Sequence, residues 1–359
     1  MSRTPDFQSA LETLAYALQM QPGLVEGAGS IVFLRGQPHD TLSALRPRMV
    51  CEQPFKPRAD ALQAAGYHLR DAVEGFHDVV LLLPERQKHQ TLSDLAHGLS
   101  LLKEGGTLVV ALHNDWGAKR FEKALASVTG QTEMLSKHHC RVFWTTKTSA
   151  VHEPTLAEWT ADGALQRVMD GRYWSKPGLF SWDRIDQGSA LLAQHLPEDL
   201  AGDVADLGSG WGYLSEQLLL KCHDVRALDC YEADREALEA ARRNLGLLPV
   251  KTRPRLRWHD VTGGIDRMKY DVVISNPPFH EGRMADPHLG GKFIAAAAAG
   301  LRSGGQLWLV ANRQLPYEHL LDEAFESHHI VVEDNLYKVM HATRPKAWVN
   351  AGARRGGRR

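Results

Sequence analysis

Asp206-Leu-Gly208-Ser-Gly210-Trp-Gly212 is the stretch on which the fold turns. An apolar run, Ala205–Leu207, leads into it, and a helical stretch over 213–220 follows. Glycines at alternate positions let a strand fold tightly into a helix and let a ligand approach the backbone. Outward from this turn, β-rich runs at Arg226–Tyr231, Leu256–Trp258, Val272–Ser275 and Leu307–Ala311 alternate with helical stretches. That rhythm predicts a parallel sheet with helices on both faces.

The first half repeats the pattern. An amphipathic helix over 7–20 precedes β runs at Ile31–Leu34, Val79–Leu83 and Leu108–Leu112, with helices over 89–102 and 117–128. Asp78-Val-Val-Leu-Leu-Leu83-Pro84 and the later Gly105-Gly106-Thr-Leu-Val-Val mirror Asp271-Val-Val-Ile-Ser-Asn276-Pro277 and Gly304-Gly305-Gln-Leu-Trp-Leu. Two copies signal a duplicated domain rather than a solenoid. The copies differ where chemistry would sit: Leu83 stands in place of Asn276, and no glycine-rich turn follows Ile31–Leu34. The expectation is an α/β chain of two tandem Rossmann-like domains, the N-terminal one degenerate. Pro154, Gly163, Gly171, Pro177 and Gly178 break the rhythm between them. The boundaries read 1–165 for a degenerate scaffold or docking domain, 166–350 for the domain carrying the chemistry, and 351–359 for a basic tail.

Composition narrows the class. Hydrophobic residues make up 43%, enough for a core in each half, and the net charge of −1 means that any basic surface is local. The four cysteines have no CxxC spacing and no matched histidine pairs, which argues against a metal site or disulfide framework and fits a reducing cytoplasm. The N-terminal residues lack a signal-peptide pattern, and no apolar run reaches membrane-spanning length.

The glycine turn itself points to a ligand. Dehydrogenase turns of the GxGxxG type set pyrophosphate on a helix N-terminus. Here a carboxylate, Asp206, opens the turn; it would repel pyrophosphate but suits the ammonium of a methionine moiety. An acid at the end of the second strand should take the ribose hydroxyls. Glu232 is preferred, because the helix toward Asn244 opens just after it, and Asp229 is the competitor. Asp260, after Leu256–Trp258, is placed to accept from an adenine amino group. Taken singly, each acid is equally a helix cap or a solvated strand end. In order behind Asp206, Gly208 and Gly210, they describe an S-adenosylmethionine site.

Ser275-Asn276-Pro277-Pro278-Phe279-His280 follows the fourth strand. Consecutive prolines stiffen the backbone and remove donors, leaving carbonyls as acceptors. The Asn276 oxygen and the Pro277 carbonyl can both accept hydrogens from one planar amino group, aiming its lone pair at a methyl sulfonium. Phe279 would stack on a flat base. Rate then comes mainly from alignment.

These motifs, with Pro177-Gly-Leu-Phe180-Ser-Trp-Asp183-Arg-Ile-Asp186-Gln-Gly188-Ser189 and Ala311-Asn312-Arg313-Gln-Leu-Pro316-Tyr317, resemble the ribosomal RNA small-subunit methyltransferase C family. The resemblance implies methylation of a guanine N2 in 16S rRNA by S-adenosylmethionine, with the first half an inactive methyltransferase copy. It also implies that Asn276 and Pro277 hold the guanine amino group and that the Phe180–Ser189 segment, hence Phe180 and Ser189, flanks the cofactor; Asn276, beside the reacting methyl, counts as a cofactor-binding residue too. Departures are Ser209 for a common Cys, Trp182 for a frequent Arg, and Glu232 for a frequent Asp.

The partner implied is ribosomal RNA or the small subunit, with a monomer favoured. Lys251, Arg253, Arg255 and Arg257, Arg242-Arg243, and Arg354, Arg355, Arg358 and Arg359 in the tail are local basic stretches suited to phosphate. The alternatives are a 23S rRNA guanine-N2 enzyme, a glutamine methyltransferase acting on release factors, a DNA adenine-N6 enzyme, and a non-catalytic RNA-binding assembly factor.

Overall fold

The computed structural model describes residues 7–278, 280–281, 284–285 and 287–346. By its contacts the chain divides into one unit of Met1–Arg184 with Ala233–Ala240 and a second of Ile185–Glu232 with Ala241–Arg359.

In the first unit the strands are β1 (Ile31–Leu34), β2 (Met49–Glu52), β3 (His68–Arg70), β4 (His77–Leu82), β5 (Leu102–His113), β6 (Glu133–Lys137) and β7 (Cys140–Thr146). They form one sheet in the order β3-β2-β1-β4-β5-β7-β6. Helices α1 (Phe7–Met20), α2 (Lys56–Ala64), α3 (Lys88–Ser100), α4 (Ala118–Thr129) and α5 (Glu153–Asp162) accompany it, and β8 (Gln166–Val168) pairs with β9 (Tyr173–Ser175) in a small ribbon. Alternate residues of a strand point to opposite faces. Ile31 and Phe33 accordingly join a core with α1, while Val32 and Leu34 join another with α3, α4 and α5.

The second unit repeats this. After α6 (Gln187–His195) come β10 (Gly202–Leu207), α7 (Tyr213–Lys221) and β11 (Val225–Glu232). Helix α8 (Arg235–Gly246), whose first residues group with the first unit, leads to β12 (Arg255–Trp258) and β13 (Tyr270–Ser275). The short pair β14 (His280–Glu281) and β15 (Met284–Ala285) precedes α9 (Pro287–Gly300), β16 (Leu301–Asn312), α10 (Glu318–Ala324), β17 (Phe325–Glu333) and β18 (Tyr337–Pro345). The order β12-β11-β10-β13-β16-β18-β17 matches the first sheet strand for strand. The two tandem Rossmann-like domains expected from the sequence are therefore present.

One expectation needs correcting. The sheets are parallel only through their first five strands; β7 and β18 run antiparallel to β5 and β16, and β6 and β17 close the edge as hairpin partners. A crossover helix is needed only between parallel strands, so a tight turn suffices for these last two. His138 and His139 form that turn in the first unit, both at positive φ.

Strand order reverses between β10 and β13. In a doubly wound sheet, ligands bind at such a switch point, beyond the carboxyl ends of the strands. The equivalent place in the first sheet lies past β1 and β4. There Arg35, at φ 53°, is buried and ion-paired with Asp94 at 2.8 Å and Glu236 at 2.9 Å. An arginine held this way at the turn, with Leu83 after β4, marks the first domain as degenerate.

Candidate functional site

The glycine turn caps β10. Gly208, Gly210 and Gly212 all have positive φ, at 74°, 54° and 95°, a region that costs other residues free energy. At Gly212 a Cβ would press on Leu245 at 3.2 Å, so α8 itself requires a glycine there. At Gly210 a Cβ would meet nothing within 4 Å: the turn faces open space where a ligand can lie against it. The turn is tied down at both ends. Gly208 and Ser209 donate to Tyr231 O, Gly210 donates to Glu232 Oε2 at 2.8 Å, and the Asn244 amide of α8 donates to Trp211 O at 2.8 Å.

Asp206 is fully buried on β10. Its Oδ2 accepts from Ser215 Oγ at 2.6 Å, while Oδ1 has no hydrogen-bond partner. Burial pushes this carboxyl up to about 7, the Ser215 hydrogen bond opposes the rise, and the charge of Glu232 adds to it. The Ser209 hydroxyl is likewise buried without a partner. Buried polar atoms are ordinarily hydrogen-bonded. Two orphaned oxygens at a glycine turn thus fit a ligand that brings its own donors, as the ammonium of S-adenosylmethionine would.

The two acids of β11 have different surroundings. Asp229 is enclosed by Arg255 at 2.6 Å, Lys269 at 2.9 Å, Arg257 at 3.3 Å and the Tyr270 hydroxyl at 2.7 Å. Burial alone would raise its carboxyl, but Tyr270, Lys269 and Arg255 outweigh that and hold it at about 2. It braces β11, β12 and β13. Glu232 stands instead at the carboxyl end of β11, against Gly210. Asp260 begins a 3-10 turn over Val261–Gly263 and caps it, accepting from Thr262 N at 2.8 Å.

Ser275 Oγ donates to Leu207 O at 2.7 Å, pinning the ends of β13 and β10 together. This sets the Asn-Pro-Pro segment beside the glycine turn: Asn276 O lies 4.0 Å from where a Cβ on Gly208 would be. The Asn276 amide nitrogen donates to Asp186 Oδ2 at 2.9 Å and to Ser189 Oγ at 2.8 Å, and its Oδ1 is buried without a partner. Pro277 is buried and Pro278 exposed. Phe279 and the arginines of the tail lie outside the described residues. Phe180 belongs to the first contact unit and is 61% exposed.

The second unit therefore gathers Asp206, Gly208, Gly210, Glu232, Asn276 and Ser189 around one switch point. Asp186 was not singled out by sequence. Its signal was present, a helix N-cap acid three residues before Ser189, but capping alone does not name a partner 90 residues away. Of the basic stretch Lys251–Arg257, Arg255 and Arg257 are spent on Asp229.

The methyltransferase small domain family model matches residues 170–341. A ribosomal RNA small subunit methyltransferase C from Psychromonas ingrahamii is 31% identical over 287 residues, which cover 78% of this chain and 80% of that protein. The protein of the same name from Salmonella arizonae is 30% identical over 267 residues, 73% of this chain and 74% of its own. Among solved structures, the T. thermophilus 16S rRNA N2 G1207 methyltransferase in complex with AdoMet and guanosine superposes with a TM-score of 0.76 at 24% identity, covering 93% of this chain and 91% of that one.

Proposed function

Because the chain belongs to the ribosomal RNA small subunit methyltransferase C family, we propose that it methylates the exocyclic N2 amino group of a guanine in 16S rRNA. S-adenosylmethionine, when bound, supplies an electrophilic methyl group on a sulfonium. We assign its ammonium to Asp206, its passage along the backbone to Gly208 and Gly210, its ribose to Glu232 and its adenine to Asp260.

The observation that carries the acceptor chemistry is the state of Asn276. Both of its amide hydrogens are engaged, and its buried oxygen lacks a donor. An amino group attached to a flat base supplies one. Asn276 Oδ1 takes one hydrogen and the Pro277 carbonyl the other, which turns the nitrogen lone pair away from the ring and toward the donor methyl. Pro277 and Pro278 keep that carbonyl in place, since neither can rotate freely about φ. The amine attacks before it loses its proton, so no strong base is needed and alignment dominates the rate.

We assign the chemistry to residues 166–350, of which 166–184 and 233–240 group by contacts with the first unit, scaffolding or RNA docking to 1–165, and phosphate binding to the basic residues of 351–359. The partner is 16S rRNA, in or out of the small subunit, and the enzyme works as a cytoplasmic monomer. Four buried free cysteines suit a reducing compartment. Among the described residues, no helix is long and apolar enough to cross a membrane.

The test uses full-length protein with labelled S-adenosylmethionine and, in parallel, unmodified 16S transcript, small subunits, 23S transcript and release factor. N2-methylguanosine in a 16S arm is expected. N6-methyladenosine, methylglutamine or label confined to 23S RNA would each overturn the assignment.

A further inference from the structure

We infer that Asp186 and Ser189 are positioning residues that lock the Asn276 amide in the single orientation presenting its oxygen to the substrate amino group. The inference rests on the amino-group reading above and extends it to residues that touch neither reacting atom.

An asparagine amide is nearly symmetrical in shape, and a half-turn about its last bond exchanges a two-hydrogen donor for an acceptor. In the wrong orientation, Asn276 would offer hydrogens to a group that also only donates. Ordinarily the choice is settled by the surrounding hydrogen bonds. Here Asp186 Oδ2 lies 2.9 Å from the amide nitrogen, and an ionised carboxylate can only accept. A flipped amide would set oxygen against that carboxylate. Ser189 Oγ, 2.8 Å away, accepts the second hydrogen. The lock therefore uses both hydrogens and leaves the oxygen as the one polar atom still to be satisfied.

The lock is itself held. Asp186 is the N-cap of α6, and its Oδ2 also accepts from Ser189 N at 2.8 Å, so one oxygen organises the helix start and the amide together. Between them Gly188 packs beneath Tyr337, where a Cβ would come within 3.0 Å of the ring. The first turn of α6 is thereby seated on β18, and the acceptors cannot drift from Asn276.

The experiment is a double-mutant cycle on the full-length protein, read as single-turnover methyl transfer to the substrate identified above. S-adenosylmethionine affinity is measured alongside by calorimetry. Ser189→Ala is expected to slow transfer about tenfold at saturating S-adenosylmethionine, the scale of one lost hydrogen bond near a reacting group. In an Asn276→Ala background, Ser189→Ala should produce no further loss. Asp186→Ala should be slower still, and Asp186→Asn, which keeps an acceptor oxygen and a capping group, should recover most of the rate. Three outcomes overturn the inference: a multiplicative loss in the Asn276→Ala background, no slowing with Ser189→Ala at saturating cofactor, or no recovery with Asp186→Asn. Asn276→Ala transferring methyl at the wild-type rate would instead overturn the amino-group reading beneath it.

Discussion

Asp206 makes cofactor binding depend on pH in a direction the structure fixes. Its carboxyl is buried, accepts from Ser215, lies near Cys230 and Glu232, and has no cation beside it among the described residues. At about 7 it is mostly protonated in mildly acidic solution. Receiving the ammonium of S-adenosylmethionine requires the ionised form. Binding at pH 6 should therefore release about 0.9 proton, the fraction carried one unit below the pKa. Affinity should weaken about five- to tenfold between pH 7.5 and pH 6, after allowing for loss of the ligand's own ammonium proton near pH 7.7–8.0. Calorimetry at pH 6 in buffers of different ionisation enthalpy counts the proton directly. Asp206→Asn should bind weakly and release none. A pH-independent affinity, or the same proton release from Asp206→Asn, would refute the pairing of Asp206 with the ammonium. Stability offers an independent check. The folded-state pKa lies above the ordinary 3.8, so the ligand-free fold binds more protons than the unfolded chain between the two values. It should lose up to about 4 kcal/mol from this group as pH rises from 4 through 7, a loss absent in Asp206→Asn.

The acids of β11 should separate by assay. Glu232→Ala is expected to keep its denaturation midpoint and lose about 10- to 100-fold in cofactor affinity, the scale of charge-assisted hydrogen bonds to ribose. Asp229→Ala should unfold more easily by about 1–3 kcal/mol, since it takes the acceptor from the buried Tyr270 hydroxyl while its cations can turn to solvent, and the reverse ranking in urea titrations would mean the roles are exchanged. Gly210→Ala, at φ 54° with its Cβ aimed into open space, should cost about 1–2 kcal/mol of stability and also weaken cofactor binding; unaltered affinity would place the ligand elsewhere. Asn276→Ala should leave cofactor affinity intact and slow single-turnover transfer about 100-fold, whereas Asn276→Asp, retaining an acceptor, should fall between the two.

Much of the fold could be read locally. Ile31–Leu34 is a strand at those bounds, the helices expected over 7–20 and 117–128 are Phe7–Met20 and Ala118–Thr129, and the glycine turn joins β10 to α7. These central elements carry apolar runs and turn residues that declare themselves in a few positions. The edges do not. His68–Arg70 is three residues long, and Phe325–Glu333 is largely solvated, so neither shows a clear alternation of apolar and polar side chains. The direction of β7 and β18 is a different matter: both carry buried apolar residues, but an apolar run does not say whether a strand runs parallel or antiparallel to its neighbour.

The sequence by itself determined the duplication, the loss of the first copy's site, the glycine turn and the Asn-Pro-Pro segment, because each is a contiguous pattern with its own backbone chemistry. Only the tertiary structure decided the distribution of roles. Arg255 and Lys269 enclose Asp229 while Glu232 reaches the turn, because the pairing of β11 with β12 sets Arg255 opposite Asp229 and the chain entering β13 brings Lys269 to the same carboxylate. Asp186 and Ser189 reach Asn276 across 90 and 87 residues. Which way an amide faces is a property of what surrounds it in space, and no spacing along the chain encodes that.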